Sequence, residues 1–505
     1  MILTTISSVL AIEGYLLLLP LTVALLARDW AAVWGLGVAA ALALCLGIPS
    51  TYLRKNVLKR PLQMSDGCII SVLSWLALSL VGALPFVLSG RIPHFIDAFF
   101  ETVSGFTTTG SSILGPATQT VESLGFPLLL WRSLTHFVGG MGVLVLTISL
   151  VPIGNNAYSI LSAEMPGPSF SRVASRLQQS SRGLYVIYAS LTGLLILILR
   201  LCGMSWGDAL IHALSSAGTG GFSSHSSSVA YFQSPLIELV LGIAVLVFSV
   251  NMNLYYLTLF YDRRVLLESE ETKSFLAIVG LTSLGIGINL FASGTYANFW
   301  TALRHGFFNV SSLVSTTGYG TENYVEWPLF SQILLLLMMF FGGCAGSTAG
   351  GLKISRVLIL FKEAFRELLE AFHPKRLFLI HQEGQKVSRN ETRNIVAYFL
   401  IYVLLFGVLL IAFSFFEDDF TTAFGAIATT FNNVGPGLGK IGPWENMGSY
   451  GPIPKLILIF SMLAGRLEIL PILVACNPHI WARTRAHIRH ARLLDEFKKS
   501  SRGQM

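Results

Sequence analysis

Four short segments of this 505-residue chain place a glycine in matched polar surroundings. They are VSGFTTTGSS around Gly110, LSSAGTGGFSS around Gly221, VSTTGYG around Gly318 and ATTFNNVGPG around Gly435. Six residues before each glycine stands a hydroxyl residue: Ser104, Ser215, Ser312 or Thr429. Two before it stands Thr108, Thr219, Thr316 or Asn433, and two after it Ser112, Ser223, Gly320 or Gly437. Glycine and small polar residues at membrane depth suit one chemistry in particular. Backbone carbonyls turned toward a common axis can replace the hydration shell of a cation. Glycine is needed there because the required backbone angles would crowd a Cβ.

The third segment differs from the TVGYG loop of potassium channel filters only by Thr317 in place of valine. Such a filter needs four copies about one axis, and this chain has four. The expected coordinating groups are the carbonyls of Thr107, Thr108, Thr109 and Gly110; Gly218, Thr219, Gly220 and Gly221; Ser315, Thr316, Thr317 and Gly318; and Asn432, Asn433, Val434 and Gly435. Threonine hydroxyls are expected to support them. Two quadrants depart from the pattern. NNVGPG lacks a Thr-Thr pair, and Gly220 and Gly221 are adjacent, so that Gly221 is aligned by spacing while Gly220 could share its role.

The elements that must hold these segments follow from hydropathy. The chain is 53% hydrophobic and only 12% charged, against about 25% charged in soluble domains. Apolar stretches at 69–88, 184–201, 236–260, 275–291, 329–341, 395–416 and 456–473 approach or exceed bilayer-spanning length. A polytopic all-α membrane protein follows. The first apolar run lacks a basic leader and reads as a membrane helix, not a cleaved signal. Each glycine segment follows about ten residues (98–106, 209–217, 305–314, 422–431) that suit a re-entrant half-helix. Non-helical backbone beyond it is tolerated at depth only where protein buries it or it lines a watery cavity. The half-helix C-termini favour cations at the ring. The unit repeats at glycine intervals of 111, 97 and 117 residues.

Of 34 Lys and Arg, 26 fall in 54–60, 172–182, 263–273, 353–393 and 483–502. The net charge of +7 is therefore assigned to cytoplasmic loops, and not to nucleic-acid binding. The five cysteines (45, 68, 202, 344, 476) show neither a disulfide framework nor a metal pattern.

Two further features stand out at membrane depth. Gly342, Gly343, Gly346, Gly350 and Gly351 crowd a stretch that should be helical. Helix-interior glycine costs about 1 kcal/mol relative to alanine, so a break is expected. A phosphate-binding loop would need GxxxxGK[ST] after a strand, which is absent; a tight helix-packing site is the plain alternative. Arg466 lies inside an apolar run and must face the bundle interior or water. Asp97 and Asp208, 13 residues before their glycines, read as helix caps. Glu101, His136, His212 and Asn309 read as satisfied hydrogen-bond groups, and Arg132 as an interface anchor.

With FGGCAGSTAGGLKISR (341–356) and GRLEILPILV (465–474), the four segments make the chain resemble the Trk/Ktr/HKT superfamily of potassium-uptake membrane subunits. An apolar pair at 6–27 and 31–50 favours the TrkH/TrkG type. The resemblance implies four pseudo-symmetric helix–pore loop–helix repeats around one pore, plus an N-terminal two-helix domain. The corresponding divisions are 1–62, then repeats at 63–165, 166–268, 269–385 and 386–480, then a basic tail, 481–505. It implies a K⁺ translocator in a bacterial inner membrane with both termini cytoplasmic, assembled as a homodimer. It places gating at the 342–351 loop with Arg466. It also implies a TrkA-like cytoplasmic subunit with nucleotide-binding RCK domains, so that K⁺ is the transported ion and this chain binds no nucleotide. The basic segments 353–393 and 482–502 are the expected contacts for that subunit or for membrane lipid. A Na⁺-permeable or H⁺-coupled symporter is the near alternative on this scaffold. A membrane-embedded enzyme would need a nucleophile–base pair or metal cluster that the sequence lacks, and a plain scaffold leaves four filters unexplained.

Overall fold

The computed structural model describes residues 2–53, 64–115, 119–142, 177–376 and 378–478. The basic stretch 54–60, residues 172–176 of the stretch 172–182 and the tail 483–502 lie outside the described residues. What is described is almost wholly helical, with one two-stranded hairpin at His381–Gln382 and Gln385–Lys386.

Helices α1 (Ile2–Ala27) and α2 (Trp30–Leu53) form the N-terminal pair and pack on α3 (Met64–Leu88). Repeat 1 is α3, the short α4 (Phe95–Phe106) and α5 (Phe126–Gly140). Repeat 2 is α6 (Leu177–Leu201), α7 (Trp206–Ala217) and the pair α8 (Pro235–Phe248) and α9 (Met252–Phe260). After a single turn, α10 (Val265–Glu268), repeat 3 comprises α11 (Glu270–Ala292), α12 (Phe299–Val314), α13 (Leu329–Phe341) and α14 (Ile354–Phe372). Repeat 4 is α15 (Arg389–Phe413), α16 (Phe420–Phe431), α17 (Pro452–Arg466) and α18 (Leu470–Cys476). Six of these helices are long and apolar enough to span a bilayer alone, and two bent pairs bring the number to 8.

The short helices α4, α7, α12 and α16 are the half-helices. Three have a side-chain cap at the N-terminus: Ser205 accepts from the Asp208 amide, Asn298 from Trp300 and Asp419 from Thr422. Such caps satisfy amides the helix itself leaves open. Asp97 is not the cap of α4; that position is His94, with no side-chain bond. Asp97 instead accepts from Lys455 of α17 at 2.5 Å, which ties the first half-helix to the last repeat. Asp208 is not the cap of α7 either; that position is Ser205, and the Asp208 carboxylate in the first turn accepts from Ser205 at 2.7 Å and from Ser224 at 2.6 Å.

The repeats close into a ring. The second helix of each packs on the half-helix of the next: α5 on α7, α8 on α12, α13 on α16, and α17 on α4. The N-terminal pair lies outside that ring, with α1 against α3 and α5.

Two expected spans are not continuous. The 236–260 stretch bends by 84° between α8 and α9, and 456–473 turns by 119° between α17 and α18. The glycine-rich stretch is thus one of three breaks among the second helices within the described residues. At the first, Asn251 caps α9 through its side chain; at the second, Glu468 and Ile469 both adopt left-handed backbone. Hydropathy is nearly blind to both breaks because the polar residues there, Asn251 and Asn253 at the first and Arg466 and Glu468 at the second, are few within long apolar runs.

Candidate functional site: a four-segment ring and the loop beneath it

Each half-helix ends in the same backbone motif. The amide of the residue before the filter glycine returns to the carbonyl six residues before that glycine: Thr109 to Ser104 at 2.9 Å, Gly220 to Ser215 at 3.0 Å, Thr317 to Ser312 at 2.9 Å and Val434 to Thr429 at 2.8 Å. The preceding amide bonds the next carbonyl: Thr108 to Gly105, Thr219 to Ser216, Thr316 to Leu313 and Asn433 to Thr430. This is the Schellman closure of a helix C-terminus. Its left-handed residue is usually glycine, yet here it is Thr108, Thr219, Thr316 and Asn433, with φ of 52, 53, 56 and 55°. Left-handed backbone at such residues costs about 1–2 kcal/mol, so the surrounding packing must hold it.

Two residues on, the aligned glycines are also left-handed: Gly110 and Gly221 at φ 79°, Gly318 at 77° and Gly435 at 103°. Gly221, not Gly220, takes this position in the second segment. A Cβ on Gly110 would fall on the carbonyl of Gly220, one on Gly221 on that of Thr317, and one on Gly318 on that of Val434. A Cβ on Gly435 would meet the Thr109 carbonyl at 2.8 Å, a looser fit. The four segments therefore nest in cyclic order, each against the carbonyl preceding the next glycine. Segments one and three face each other across the ring and share a further device. Thr107 and Thr109 pair their hydroxyls at 2.8 Å, as do Ser315 and Thr317. The fourth segment has amides instead. Asn433 donates to the Thr109 hydroxyl at 2.9 Å, closing the ring between first and last repeats, and Tyr402 donates to Asn432 at 2.6 Å.

Behind the first two segments lies a buried ion pair that sequence reading missed. Arg132 is no interface anchor: its Nε donates to Glu101 at 2.6 Å, and its guanidinium lies 3.3 Å from the Phe222 ring centroid. It also donates to the Ser223 carbonyl and the Ser112 hydroxyl. Glu101 further accepts from Ser112 and the Ile113 amide. Breaking such a buried pair costs about 3–5 kcal/mol. Arg132→Ala is expected to lower the thermal stability of the detergent-purified protein sharply, and Arg132→Met with Glu101→Gln to lower it less, read by melting scans. His212 is satisfied by the Asp208 carbonyl and the Ser223 hydroxyl. Asn309 uses its amide nitrogen on His305, while its oxygen has no partner among the described residues. At the outer rim, Glu122 links the loops after segments one and two through Ser226. Partial burial pushes its carboxyl up, but the Ser226 hydroxyl and amide outweigh that and hold it below the usual range.

The glycine-rich stretch between α13 and α14 is a non-helical loop, with Gly342, Gly346, Gly351 and Lys353 left-handed. It lies directly against the base of the ring. The Gly350 amide donates to the Thr316 hydroxyl at 2.7 Å, and a Cβ on Gly350 would meet the Asn432 carbonyl at 2.5 Å. The break between α8 and α9 supplies partners for the loop. Cys344 donates to the Ser249 carbonyl, Thr348 to that of Phe248, and Met252 to that of Gly346. Glu271 accepts the amides of Ala345 and Ser355 at 2.7 and 3.0 Å, clamping both loop ends. Arg466 donates to Thr348 at 2.8 Å and to the carbonyls of Gly139 and Gly140, at 2.5 and 2.8 Å. Glu468, two residues on, pairs with Arg356 instead. The loop thus rests among elements of repeats 2, 3 and 4, and Arg466 links it to α5 of repeat 1. Among the described residues no group of three or more His, Cys, Asp or Glu side chains is placed to hold a metal ion; the ring offers a cation backbone carbonyls and hydroxyls.

Fold and site together define a multi-pass membrane protein whose single chain folds four re-entrant segments into one ring. The profile of the TrkH cation transport protein family matches residues 38–281 and 289–481, and the chain belongs to that family. It is a transporter chain and not an enzyme. It is 36% identical over 429 residues to the Trk system potassium uptake protein TrkH of Escherichia coli K12, covering 84% of this chain and 87% of the relative. The TrkH of Vibrio parahaemolyticus is 33% identical over 479 residues, 94% of this chain and 97% of the relative. The crystal structure of the potassium transporter TrkH from that organism superposes with a TM-score of 0.83 at 31% identity, over 95% of this chain and 99% of that one.

Proposed function

We propose that this chain takes up K⁺ through the four-segment ring. The observation that carries the reading is the cyclic nesting of four left-handed glycines, each on its neighbour's carbonyl. A ring of that kind presents carbonyls at four matched positions, and the four half-helices direct their negative C-terminal ends toward it. The coordinating groups are the carbonyls of 107–110, 218–221, 315–318 and 432–435. The loop 342–351 with Arg466 is the gate, since its backbone bonds Thr316 and its carbonyls receive the guanidinium. The relatives' naming as Trk system proteins supports membership of a multi-component system. The chain is taken to form a homodimer in a bacterial inner membrane, with both termini cytoplasmic. A TrkA-like RCK subunit would bind the nucleotide and dock on the basic cytoplasmic segments.

The test is growth of an uptake-deficient bacterium on low K⁺. The gene, expressed with its cytoplasmic partner, is expected to restore growth; deletion of 483–505 with charge reversal at Lys375 and Arg376 is expected to remove the partner's effect. Failure of the intact pair to restore growth, with both proteins present in the cell, overturns the assignment.

A further inference from the structure

The -1 position of the ring, directly before each left-handed glycine, carries a side chain in three quadrants. Thr109 braces its segment through Thr107 and Asn433, Thr317 through Ser315, and Val434 is fully buried. The second quadrant has Gly220. Backbone conformation does not require glycine here, because Gly220 itself is not left-handed, unlike Thr219 before it and Gly221 after it. What forbids a side chain is His136. A Cβ on Gly220 would meet the imidazole Cγ and Nδ1 at 2.5 Å and Cδ2 at 2.6 Å. His136 is fully buried on α5, the second helix of the preceding repeat. Its ring is stacked on Phe222 at 3.9 Å between centroids, 22° from parallel, and its Nδ1 lies 3.3 Å from the Ser215 hydroxyl. Phe222 also receives Arg132, one helical turn before His136. The residue just after the filter glycine is thus held by two groups of α5, while the residue just before it leaves room for one of them.

We infer that His136 is a positioning residue for ion selectivity: its ring supplies, from the neighbouring repeat, the brace that the second filter segment lacks at Gly220. The inference rests on the ring being the K⁺ filter. Interiors are close-packed, and a side chain's volume is felt by its neighbours. Removing the ring leaves a void beside the Gly220 Cα, in the residue whose carbonyl seats Gly110. The carbonyls of two adjacent quadrants then lose their fixed positions. A carbonyl ring that yields loses its preference for the larger cation. The hydrogen bond to Ser215 orients the ring, but volume at this point is what the filter needs. A side chain on residue 220 itself should therefore substitute for it.

The experiment uses the full-length chain in liposomes and measures K⁺ and Na⁺ flux for His136→Ala, Gly220→Thr, the pair together, and Gly318→Ser as reference. His136→Ala is expected to lower the K⁺/Na⁺ ratio by about tenfold, within the range that small displacements of positioned groups produce. Gly220→Thr alone is expected to fail in accumulation or selectivity, because its side chain meets the imidazole. The double variant is expected to regain selectivity, since the threonine now fills the vacated volume as Thr317 does in the third quadrant. A role confined to helix stability would not be rescued this way. If Gly318→Ser loses selectivity and His136→Ala keeps it, the inference fails while the filter stands. If Gly318→Ser and a Gly110→Ser control both keep selectivity, the filter assignment fails. Should His136→Ala not accumulate, a selective double variant supports the brace, and a double variant that neither accumulates nor selects overturns it.

Discussion

Gly318→Ser is expected to reduce the K⁺/Na⁺ flux ratio by about tenfold while the protein still accumulates in the membrane. Two effects combine. Serine at φ 77° takes on left-handed strain of about 1–2 kcal/mol, and about 1.4 kcal/mol is a factor of ten in an equilibrium. Its Cβ would also fall on the Val434 carbonyl, one of the proposed ligands of the next quadrant. The same reasoning holds for Gly110→Ser, which meets the Gly220 carbonyl. Gly435→Ser is expected to do less, because its contact to Thr109 is looser at 2.8 Å. Ion ratios unchanged in both Gly318→Ser and Gly110→Ser would sink the filter assignment.

Shortening the 342–351 loop is expected to raise K⁺ flux in the absence of any cytoplasmic partner, and so is Arg466→Ala. Arg466 donates three bonds to carbonyls of the loop and of α5, and hydrogen bonds to charged groups are worth about 1.5–3 kcal/mol each. Its charge also opposes cation entry beneath the ring, where screening is weak. Loss of the guanidinium removes both the tether and the repulsion, for an expected flux increase on the order of tenfold. The double change should add less than the two single effects together. Groups in one network commonly couple by about 0.5–3 kcal/mol. Well-expressed variants with parental flux would mean that the loop is a packing element.

The parts of this molecule that sequence displays are those where residue type is dictated locally. The filter glycines are legible because left-handed backbone beside a neighbour's carbonyl admits no Cβ. The half-helices are legible because they are apolar yet too short to span. The loop at 342–351 is legible through its glycine density alone. What stays hidden depends on partners distant in sequence. Thr108, Thr219, Thr316 and Asn433 hold strained backbone that their residue types do not advertise. Arg132 and Glu101 are 31 residues apart and show their pairing only when α4 and α5 pack. The breaks at 249–251 and 467–469 leave hydropathy nearly unchanged, and only a few polar residues within apolar runs, Asn251 and Asn253 at the first and Arg466 and Glu468 at the second, hint at them. The contact between Gly350 and Thr316 joins loop to filter across 34 residues, a link that no local pattern encodes.

The central claim is that one chain builds a complete K⁺-selective ring. Its most direct test is the rate at which K⁺ and Na⁺ enter liposomes carrying only this purified chain, measured on the same preparation. K⁺ entry well ahead of Na⁺ is the expected result; equal entry of the two ions would show that the ring does not select K⁺.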